Sequence, residues 1–479
     1  MWTTSKIVDK RLKELEQYLN NENPILVSVV KSFHKLDKVG YATGLLDRDE
    51  SFANQVSWWP LISVLGTFSA GKSTFINHLL GAQLQQTGNQ AVDDKFTVIC
   101  FSEDEQTKVL PGIALDSDPR FPFYQISRDL EDAEPGEGKR IDSYLQLKTS
   151  NSEVLRGRII IDSPGFDADD QRQSILQGTE HIINLSDLVL VFFDARHPEP
   201  GAMRETLNHL VSKTILRQDA TKFLFILNQI DTAAREDNPE EVVASWQRAL
   251  AQEGLTAGKF FTIYNPEAAV PIENDETRKR YEEKRDKDLK VIKERIENVS
   301  IERAYRIISL LDKTASEIEQ KYIPHVKDCI KRWQKRVMWL DIIAYTLVFS
   351  AFMGISISLD YWQGIHFSPP WKDSIQDIRW LLLIIVSVGL FLSYVHFLSR
   401  KMAANSVLRW IQKHFKDDEA LSIRLIKAFK RNTRPWRSVF SDQPTGWGNR
   451  ASKRTHEVVQ DANKYVQQLN NQFTNPSGD

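Results

Sequence analysis

The stretch LISVLGTFSAGKSTFINHLLG, at residues 61–81, constrains the fold more than any other part of this 479-residue chain. A short apolar run ends in a glycine-framed loop, and helical spacing of apolar residues resumes after it. Gly66 to Ser73 fit the pattern G-x-x-x-x-G-K-[ST], in which backbone N–H groups turn toward a phosphate at the positive end of the following helix. The segment therefore predicts a phosphate-binding loop between a strand and a helix of an α/β domain.

The side chains of this loop have expected roles at a bound nucleotide. We expect Lys72 to neutralise oxygens of the β- and γ-phosphates, and the Ser73 hydroxyl to ligate Mg²⁺. The predicted contact set also includes Gly66, Thr67, Phe68, Ser69, Ala70, Gly71 and Thr74.

Two further motifs follow the loop, each at the end of a strand-like apolar run. The strand-like run RIII leads into D-x-x-G, in which we expect Asp162 to hold Mg²⁺ through water and the Gly165 amide to sense the γ-phosphate. The run FLFIL leads into Asn228-Gln229-Ile230-Asp231, a variant of N-K-x-D whose Asp231 can accept two hydrogen bonds from guanine. Either tetrapeptide alone is more often an ordinary strand-end loop, but all three in order indicate a P-loop NTPase of GTPase type.

Short apolar runs alternate with amphipathic segments from about residue 60 to about residue 270. Runs of this length predict strands of a parallel sheet that is buried on both faces. Lys and Arg number 62 against 64 Asp and Glu, so charge gives no reason to expect a nucleic-acid partner.

Two apolar segments near the far end are long enough to cross a bilayer. Ile342–Leu359 has 18 uncharged residues, and Trp380–Leu398 has 19 with one histidine. The alternative is a pair of buried core helices, although core helices of this length normally carry a polar stripe.

The charges beside these segments predict their orientation. Six basic residues lie between Lys321 and Arg336, whereas Asp360–Asp377 has one Lys and three Asp. The positive-inside rule then gives an integral membrane protein with both termini cytoplasmic. A bacterial inner membrane is our expectation for its location, and an organelle membrane fits the sequence equally well.

The rest of the chain has the spacing of amphipathic helices. Residues 1–47 predict two helices with a break at Asn23-Pro24, and residues 276–336 predict a long helix interrupted at most near Pro324. Further helices are expected over Met402–Lys430 and over VVQDANKYVQQLNNQF. Because each helix has one apolar face, we expect residues 1–47 to pack with the segments after 276 and after 402.

The predicted fold class is an α/β P-loop GTPase domain plus an all-α helical stalk and a two-helix transmembrane hairpin. The expected boundaries are 1–55 for N-terminal helices, 56–272 for the GTPase domain, 273–336 for the stalk, 337–399 for the hairpin and 400–479 for C-terminal helices.

Residues 60–235 resemble the dynamin superfamily. GTFSAGKSTFINHLLG is similar to that family's phosphate loop, including Ser69 before the Ala-Gly-Lys, and Val109–Phe123 resembles an insertion of EH-domain-containing members. Beyond residue 235 the resemblance is one of plan, shared with mitofusins and bacterial dynamin-like proteins that have a membrane hairpin. It implies dimerisation across the nucleotide faces, higher oligomers, and hydrolysis that moves helical stalks to tubulate, fuse or cut a bilayer.

Several positions depart from the family pattern. Val92 and Asp93 stand where EH-domain-containing members have a Thr-Thr pair, so we take Asp93 and Thr97 as candidate hydrolytic residues beside Lys72, Ser73 and Ser69. Gln229 replaces the usual lysine. Because the positions of two water-positioning glutamines hold Phe68 and Phe166, we expect basal turnover to be slow and a partner subunit to complete the site.

The sequence therefore predicts a membrane-anchored dynamin-like GTPase that uses GTP and Mg²⁺, with ATP as the alternative nucleotide. Its expected partners are the lipid bilayer and further copies of itself. The alternative function is a membrane-tethered nucleotide switch that recruits a partner and hydrolyses little.

Overall fold

The computed structural model describes residues 6–67, 69–87, 95–117, 121, 141–165, 179, 182–196, 220–232, 239–252, 259–371, 378–416 and 418–473. The chain divides into two compact units. We call Gln17–Leu26 with Asn54–Ile307 the sheet unit, and Met1–Glu16, Val27–Ala53 and Ile308–Asp479 the helical unit.

The described part of the sheet unit contains one eight-stranded sheet. Its strands are β1 Leu61–Gly66, β2 Phe96–Phe101, β3 Val109–Pro111, β4 Leu145–Ser150, β5 Ile159–Asp162, β6 Leu188–Asp194, β7 Phe223–Asn228 and β8 Lys259–Thr262. They lie side by side in the order β3-β4-β2-β5-β1-β6-β7-β8.

The sheet is mixed, so the prediction of a parallel sheet holds for only part of it. Strands β5, β1, β6, β7 and β8 are parallel, but β2 is antiparallel to β5 and β3 is antiparallel to β4. Residues 151–158 join β4 to β5, which is too short a connection for the helical crossover that parallel strands need. The chain therefore reverses direction there.

The helices carry labels in chain order through both units. They are α1 Lys6–Glu22, α2 Pro24–Thr43, α3 Lys72–Leu80, α4 Ile113–Ser117, α5 Ile141–Tyr144, α6 Pro239–Gln252, α7 Asp275–Glu317, α8 Ile323–Ser358, α9 Ile378–His414, α10 Glu419–Asn432 and α11 Asn449–Phe473.

Apolar side chains cover both faces of the sheet, as the strand runs predict. On one face Phe192 packs with α3 and with Ile292 and Ile296 of α7. On the other face Phe225 packs with Trp246 of α6. Strands buried on both faces explain why their sequences are apolar at nearly every position. The predicted domain boundaries remain predictions.

The helices outside the sheet confirm some of the predicted helices and correct others. Helices α1 and α2 break at Asn23, and a π-helical turn at Ile318–Tyr322 separates α7 from α8 just before Pro324. The prediction of one helix over Met402–Lys430 is wrong. Helix α9 instead continues from the apolar segment to His414, and α10 starts anew where the Asp418 side chain accepts a hydrogen bond from Leu421 N.

The N-terminal helices pack with the C-terminal ones inside the helical unit, as expected for the segments after 402. Lys35 Nζ lies 2.7 Å from Asp461 Oδ2, joining α2 to α11, and Lys427 Nζ lies 2.9 Å from Asp47 Oδ2. These contacts connect residues that are several hundred positions apart in sequence.

The two long helices α8 and α9 form a hairpin whose apolar stretches are exposed. Both are long and apolar enough to cross a membrane, and only 6% and 0% of their most apolar windows are buried. His396 Nδ1 lies 2.8 Å from Asp341 Oδ2 between the two helices. The alternative of buried core helices does not fit this exposure.

Candidate nucleotide site

The phosphate loop lies between the end of β1 and the start of α3. Gly71 caps α3 with a φ of 84°, and a Cβ at this position would lie 2.2 Å from Asn228 Nδ2. Ser69 also has a positive φ, of 58°. Only glycine combines the left-handed backbone with so close an approach, which explains the second glycine of the motif.

Lys72 lies inside the loop and not in solvent. Its side chain is buried, and Nζ donates hydrogen bonds to Gly66 O and Thr67 O at 3.0 Å each. Burial lowers the pKa of Lys72 to about 8, although the charge of Asp162 opposes this shift. The ammonium group is thus held at the loop backbone by weak acceptors that a phosphate can replace.

The Asn-Gln-x-Asp motif fastens the loop from its other side. Asn228 Nδ2 donates to Ala70 O at 2.9 Å, and Gln229 Nε2 donates to Ser69 O at 2.6 Å. Gln229 adopts a φ of 63°. The amide that replaces the usual lysine therefore bonds the phosphate loop directly, which its sequence position alone does not predict.

Asp231 follows the same strand and is buried. Its Oδ2 accepts a hydrogen bond from Val270 N at 2.8 Å. Burial raises the pKa of Asp231, while that backbone bond lowers it. Arg196, which pairs with Asp194 at 2.5 Å, adds a nearby positive charge.

The predicted Mg²⁺ ligands converge. Ser73 Oγ lies 3.5 Å from Asp162 Oδ2, which brings a hydroxyl and a carboxylate together beside the loop. Both are hard oxygen ligands, and Mg²⁺ usually binds one or two protein groups together with substrate phosphates. No cluster of three or more His, Cys, Asp or Glu suited to a metal occurs among the described residues. The Ser73 and Asp162 pair thus fits a magnesium ion that is shared with a nucleotide.

Sequence reasoning missed two polar residues behind Asp162. Gln85 Nε2 donates to Asp162 Oδ2 at 2.6 Å, and Lys148 Nζ donates to Gln85 Oε1 at 2.6 Å. Neither residue belongs to a recognised motif, so only the fold identifies them.

Of the two candidate hydrolytic residues outside the phosphate loop, the structure describes Thr97 and not Asp93. Asp93 and Phe68 lie outside the described residues, as does Phe166. Thr97 lies in β2 directly opposite Asp162, but it is 1% exposed and its Oγ1 accepts a hydrogen bond from Gln146 Nε2 at 2.7 Å. In this conformation the Thr97 hydroxyl is therefore engaged inside the sheet.

The remaining predicted contacts fall around the loop. Thr67 and Ala70 are loop residues, Gly165 follows β5, and Thr74 is in the first turn of α3. Thr74 and Asn228 also line a cavity of about 240 Å³.

That cavity is also lined by residues that follow β8 and by residues of α7. Tyr264 and Asn265 contribute from the segment after β8, and the Arg285 guanidinium lies 4.8 Å from the Tyr264 ring centre. The cavity thus has aromatic and polar side chains in its lining, together with Thr74 and Asn228 beside the phosphate loop.

The comparisons with known proteins relate the part of the chain that carries these residues to the dynamin family. The model of the dynamin family matches residues 62–230. EH domain-containing protein 2 of Rattus norvegicus is 27% identical over 180 residues, which cover 36% of this chain and 30% of the relative. EH domain-containing protein 1 of Homo sapiens is 28% identical over 155 residues, covering 31% and 26%.

A solved structure of an oligomerised bacterial dynamin pair covers 96% of this chain and 78% of its own, at 15% identity and a TM-score of 0.36. The chain matches less than a third of the length of the two EH-domain-containing relatives.

Proposed function

We propose that this chain, whose residues 62–230 belong to the dynamin family, is a membrane-anchored GTPase that couples nucleotide-dependent dimerisation and hydrolysis to membrane remodelling. The observation that carries the proposal is a phosphate loop fastened by Asn228 and Gln229 in a chain with two long, exposed apolar helices. Fusion, fission and tubulation are all within this proposal.

The site residues have distinct tasks in this proposal. Lys72 leaves the carbonyls of Gly66 and Thr67 and neutralises phosphate oxygens. Ser73 and Asp162 would hold Mg²⁺, which supplies positive charge where negative charge develops between the phosphates. Asp231 lies at the strand end where a guanine base would be recognised, so GTP is the proposed nucleotide and ATP the alternative.

The membrane part of the proposal depends on α8 and α9. The far end of the hairpin carries aromatic side chains, with Trp362 and Phe367 at 5.2 Å and Phe367 and Trp371 at 6.0 Å between ring centres. Aromatic residues of this kind are enriched where a helix leaves the hydrocarbon. Together with the flanking charges, they support a hairpin whose termini both lie on the cytoplasmic side, in a bacterial inner membrane or an organelle membrane.

One observation favours the second candidate, a membrane-tethered nucleotide switch. The Thr97 hydroxyl is buried and bonded to Gln146, so it does not serve an attacking water in this conformation. A site in which that bond persisted would bind nucleotide and turn it over slowly. The two candidates then differ in hydrolysis and in their effect on vesicle shape.

The purified full chain in detergent tests the proposal, with GTP and ATP binding and hydrolysis compared for wild type, Lys72→Ala and Lys259→Ala. Lys259 is an exposed lysine at the start of β8, at the opposite end of the strands from the phosphate loop, so it is the matched control. We expect the wild type and Lys259→Ala to bind and hydrolyse GTP. Lys72→Ala should neither bind nor hydrolyse it.

Vesicles that contain the protein and receive GTP distinguish the candidates. Tubulation, fusion or division of the vesicles supports the remodeller. Tight GTP binding without turnover or shape change assigns the switch, and binding of ATP alone contradicts the proposed nucleotide.

A further inference from the structure

We propose that Gln85 and Lys148 are positioning residues for the magnesium-binding carboxylate, and that they act as a buried relay from Lys148 through Gln85 to Asp162. This inference rests on the proposed function, because Asp162 is expected to hold Mg²⁺ only together with a bound nucleotide. It adds two residues that lie outside the phosphate loop and both strand-end motifs.

The relay is continuous and shielded from solvent. Lys148 Nζ donates to Gln85 Oε1 at 2.6 Å, and Gln85 Nε2 donates to Asp162 Oδ2 at 2.6 Å. The three side chains are between 3% and 7% exposed. Ser73 Oγ approaches the same Asp162 oxygen at 3.5 Å, so the relay ends at the predicted metal ligands.

Chemistry fixes the direction of the central amide. A lysine ammonium group only donates hydrogen bonds and an ionised carboxylate only accepts them. Gln85 must therefore present its oxygen to Lys148 and its nitrogen to Asp162. A glutamine is suited to this position because it carries both an acceptor and a donor on one rigid amide plane.

The backbone of Gln85 is also held in place. Asn77 of α3 accepts a hydrogen bond from Gln85 N at 2.8 Å through Oδ1 and donates to Gln85 O at 2.8 Å through Nδ2. Asn77 is itself buried. The segment after the phosphate-loop helix is thereby held against that helix, which fixes the backbone from which the Gln85 side chain reaches Asp162.

The consequence is a carboxylate whose orientation is set before a metal arrives. A buried charge is costly unless it is paired and hydrogen-bonded, and Lys148 supplies the compensating charge through the amide. Groups that hydrogen-bond a metal ligand orient it, and their loss typically weakens metal binding about 10–100-fold. Since Asp162 is expected to act through water, the smaller end of that range applies here.

The test is a Mg²⁺ titration of the full chain in detergent, with a fluorescently labelled GTP as the probe. Gln85→Leu removes the amide at similar volume, and Lys148→Met removes the charge. Gln83→Leu is the matched control. Gln83 is an exposed glutamine in the same segment, and its Oε1 accepts a hydrogen bond from Asn77 Nδ2.

We expect Gln85→Leu to raise the Mg²⁺ concentration for half-maximal GTP binding about tenfold. Lys148→Met should raise it by a smaller factor, and Gln83→Leu should leave it unchanged. Binding of the labelled GTP in excess chelator should stay within about twofold of wild type for all three variants, since the phosphate loop is untouched.

Three outcomes overturn the inference. One is a wild-type midpoint in Gln85→Leu, and another is an equal loss of GTP binding with and without Mg²⁺, which marks a purely structural role. The third is a wild-type chain that binds labelled GTP without any Mg²⁺ dependence or fails to bind it. That result contradicts the proposed function itself, whereas the first two contradict only the relay.

Discussion

The core of the sheet unit and the hairpin of the helical unit use equally apolar residues in opposite ways. Phe192 and Phe225 are 0% exposed in the sheet, whereas Leu347 and Leu390 are 66% and 67% exposed in α8 and α9. Each buried apolar side chain contributes about 1.5–3 kcal/mol in water. We therefore expect the hairpin, which leaves so many of them uncovered, to be stable where its surroundings are apolar too.

The two regions also differ in where their polar side chains lie and in what holds them. In the sheet unit Lys72 is buried at the start of α3, and Asp162 and Asp231 are buried at strand ends, where backbone and amide partners hold all three. In the hairpin, Asp341 and His396 pair with each other across the two helices. The sheet unit thus holds its charged side chains inside an apolar core, whereas the hairpin exposes an apolar surface that carries few charged side chains.

The largest expected effect is that of the same deletion made in the two regions. Phe225→Ala should lower the free energy of unfolding of the sheet unit by about 3–5 kcal/mol, because it opens a cavity in a packed core. Phe349→Ala removes the same ring from an exposed site in α8 and should change the free energy of unfolding of the helical unit by less than about 0.5 kcal/mol. Thermal unfolding in detergent measures both, and equal losses would erase the contrast.

A charge in the hairpin should have the next largest effect. Leu390→Arg places a guanidinium group near the centre of the second apolar segment, at a cost of about 2.5–3.5 kcal/mol for membrane insertion. Ile423→Arg is the control, because Ile423 is an exposed apolar residue of α10. The fraction of protein that resists alkaline extraction from membranes should fall only for Leu390→Arg, and full resistance of that variant would argue against a spanning helix.

Two glycines at the ends of α3 give a smaller and sharper comparison. Gly71 and Gly81 have φ values of 84° and 65°, but only at Gly71 would a Cβ approach another atom, Asn228 Nδ2. Alanine in the left-handed region costs about 1–3 kcal/mol at either site. Gly71→Ala should also lose GTP affinity, measured by equilibrium binding, while Gly81→Ala should keep it. Loss of affinity in both variants would show that the clash with Asn228 is not the cause.

The smallest effect concerns the pH dependence of nucleotide binding. Burial holds the pKa of Lys72 at about 8 in the free protein, and a phosphate would favour the charged form and raise that pKa. Above about pH 8 binding must therefore take up a proton, so GTP affinity should fall by up to about tenfold per pH unit. Below that pH Lys72 is already charged and contributes no slope.

Lys72→Arg separates this effect from other titrations. The guanidinium group stays charged at every pH of the experiment, so this variant should bind more weakly but without the slope above about pH 8. An identical slope in both proteins would assign the proton to another group.

Much of the sheet unit could be predicted from the sequence because its signals are local. The strands β1, β5 and β7 are apolar runs that each end in a motif. The structure brings Lys72, Asp162 and Asn228 together at the carboxyl ends of these strands. Parallel strands place their carboxyl ends together, so motif order was enough to predict this meeting.

The parts that could not be predicted depend on distant pairing. The direction of β2 follows from which strand it pairs with, and its apolar pattern is the same in either direction. Gln85 and Lys148 are 63 residues apart, and no spacing rule joins them. Helix α9 runs through the boundary between an apolar and an amphipathic pattern, because a helix can continue while its surroundings change.

The most direct test of the account is GTP turnover per protein molecule in liposomes at increasing protein density. If nucleotide-bound copies complete each other's sites in the bilayer, turnover per molecule should rise with density and exceed the rate in detergent. Leu390→Arg, which should not insert, should keep the low rate of the detergent sample. A rate that is independent of density, with GTP bound in every sample, would contradict assembly-coupled hydrolysis and leave a nucleotide-gated tether.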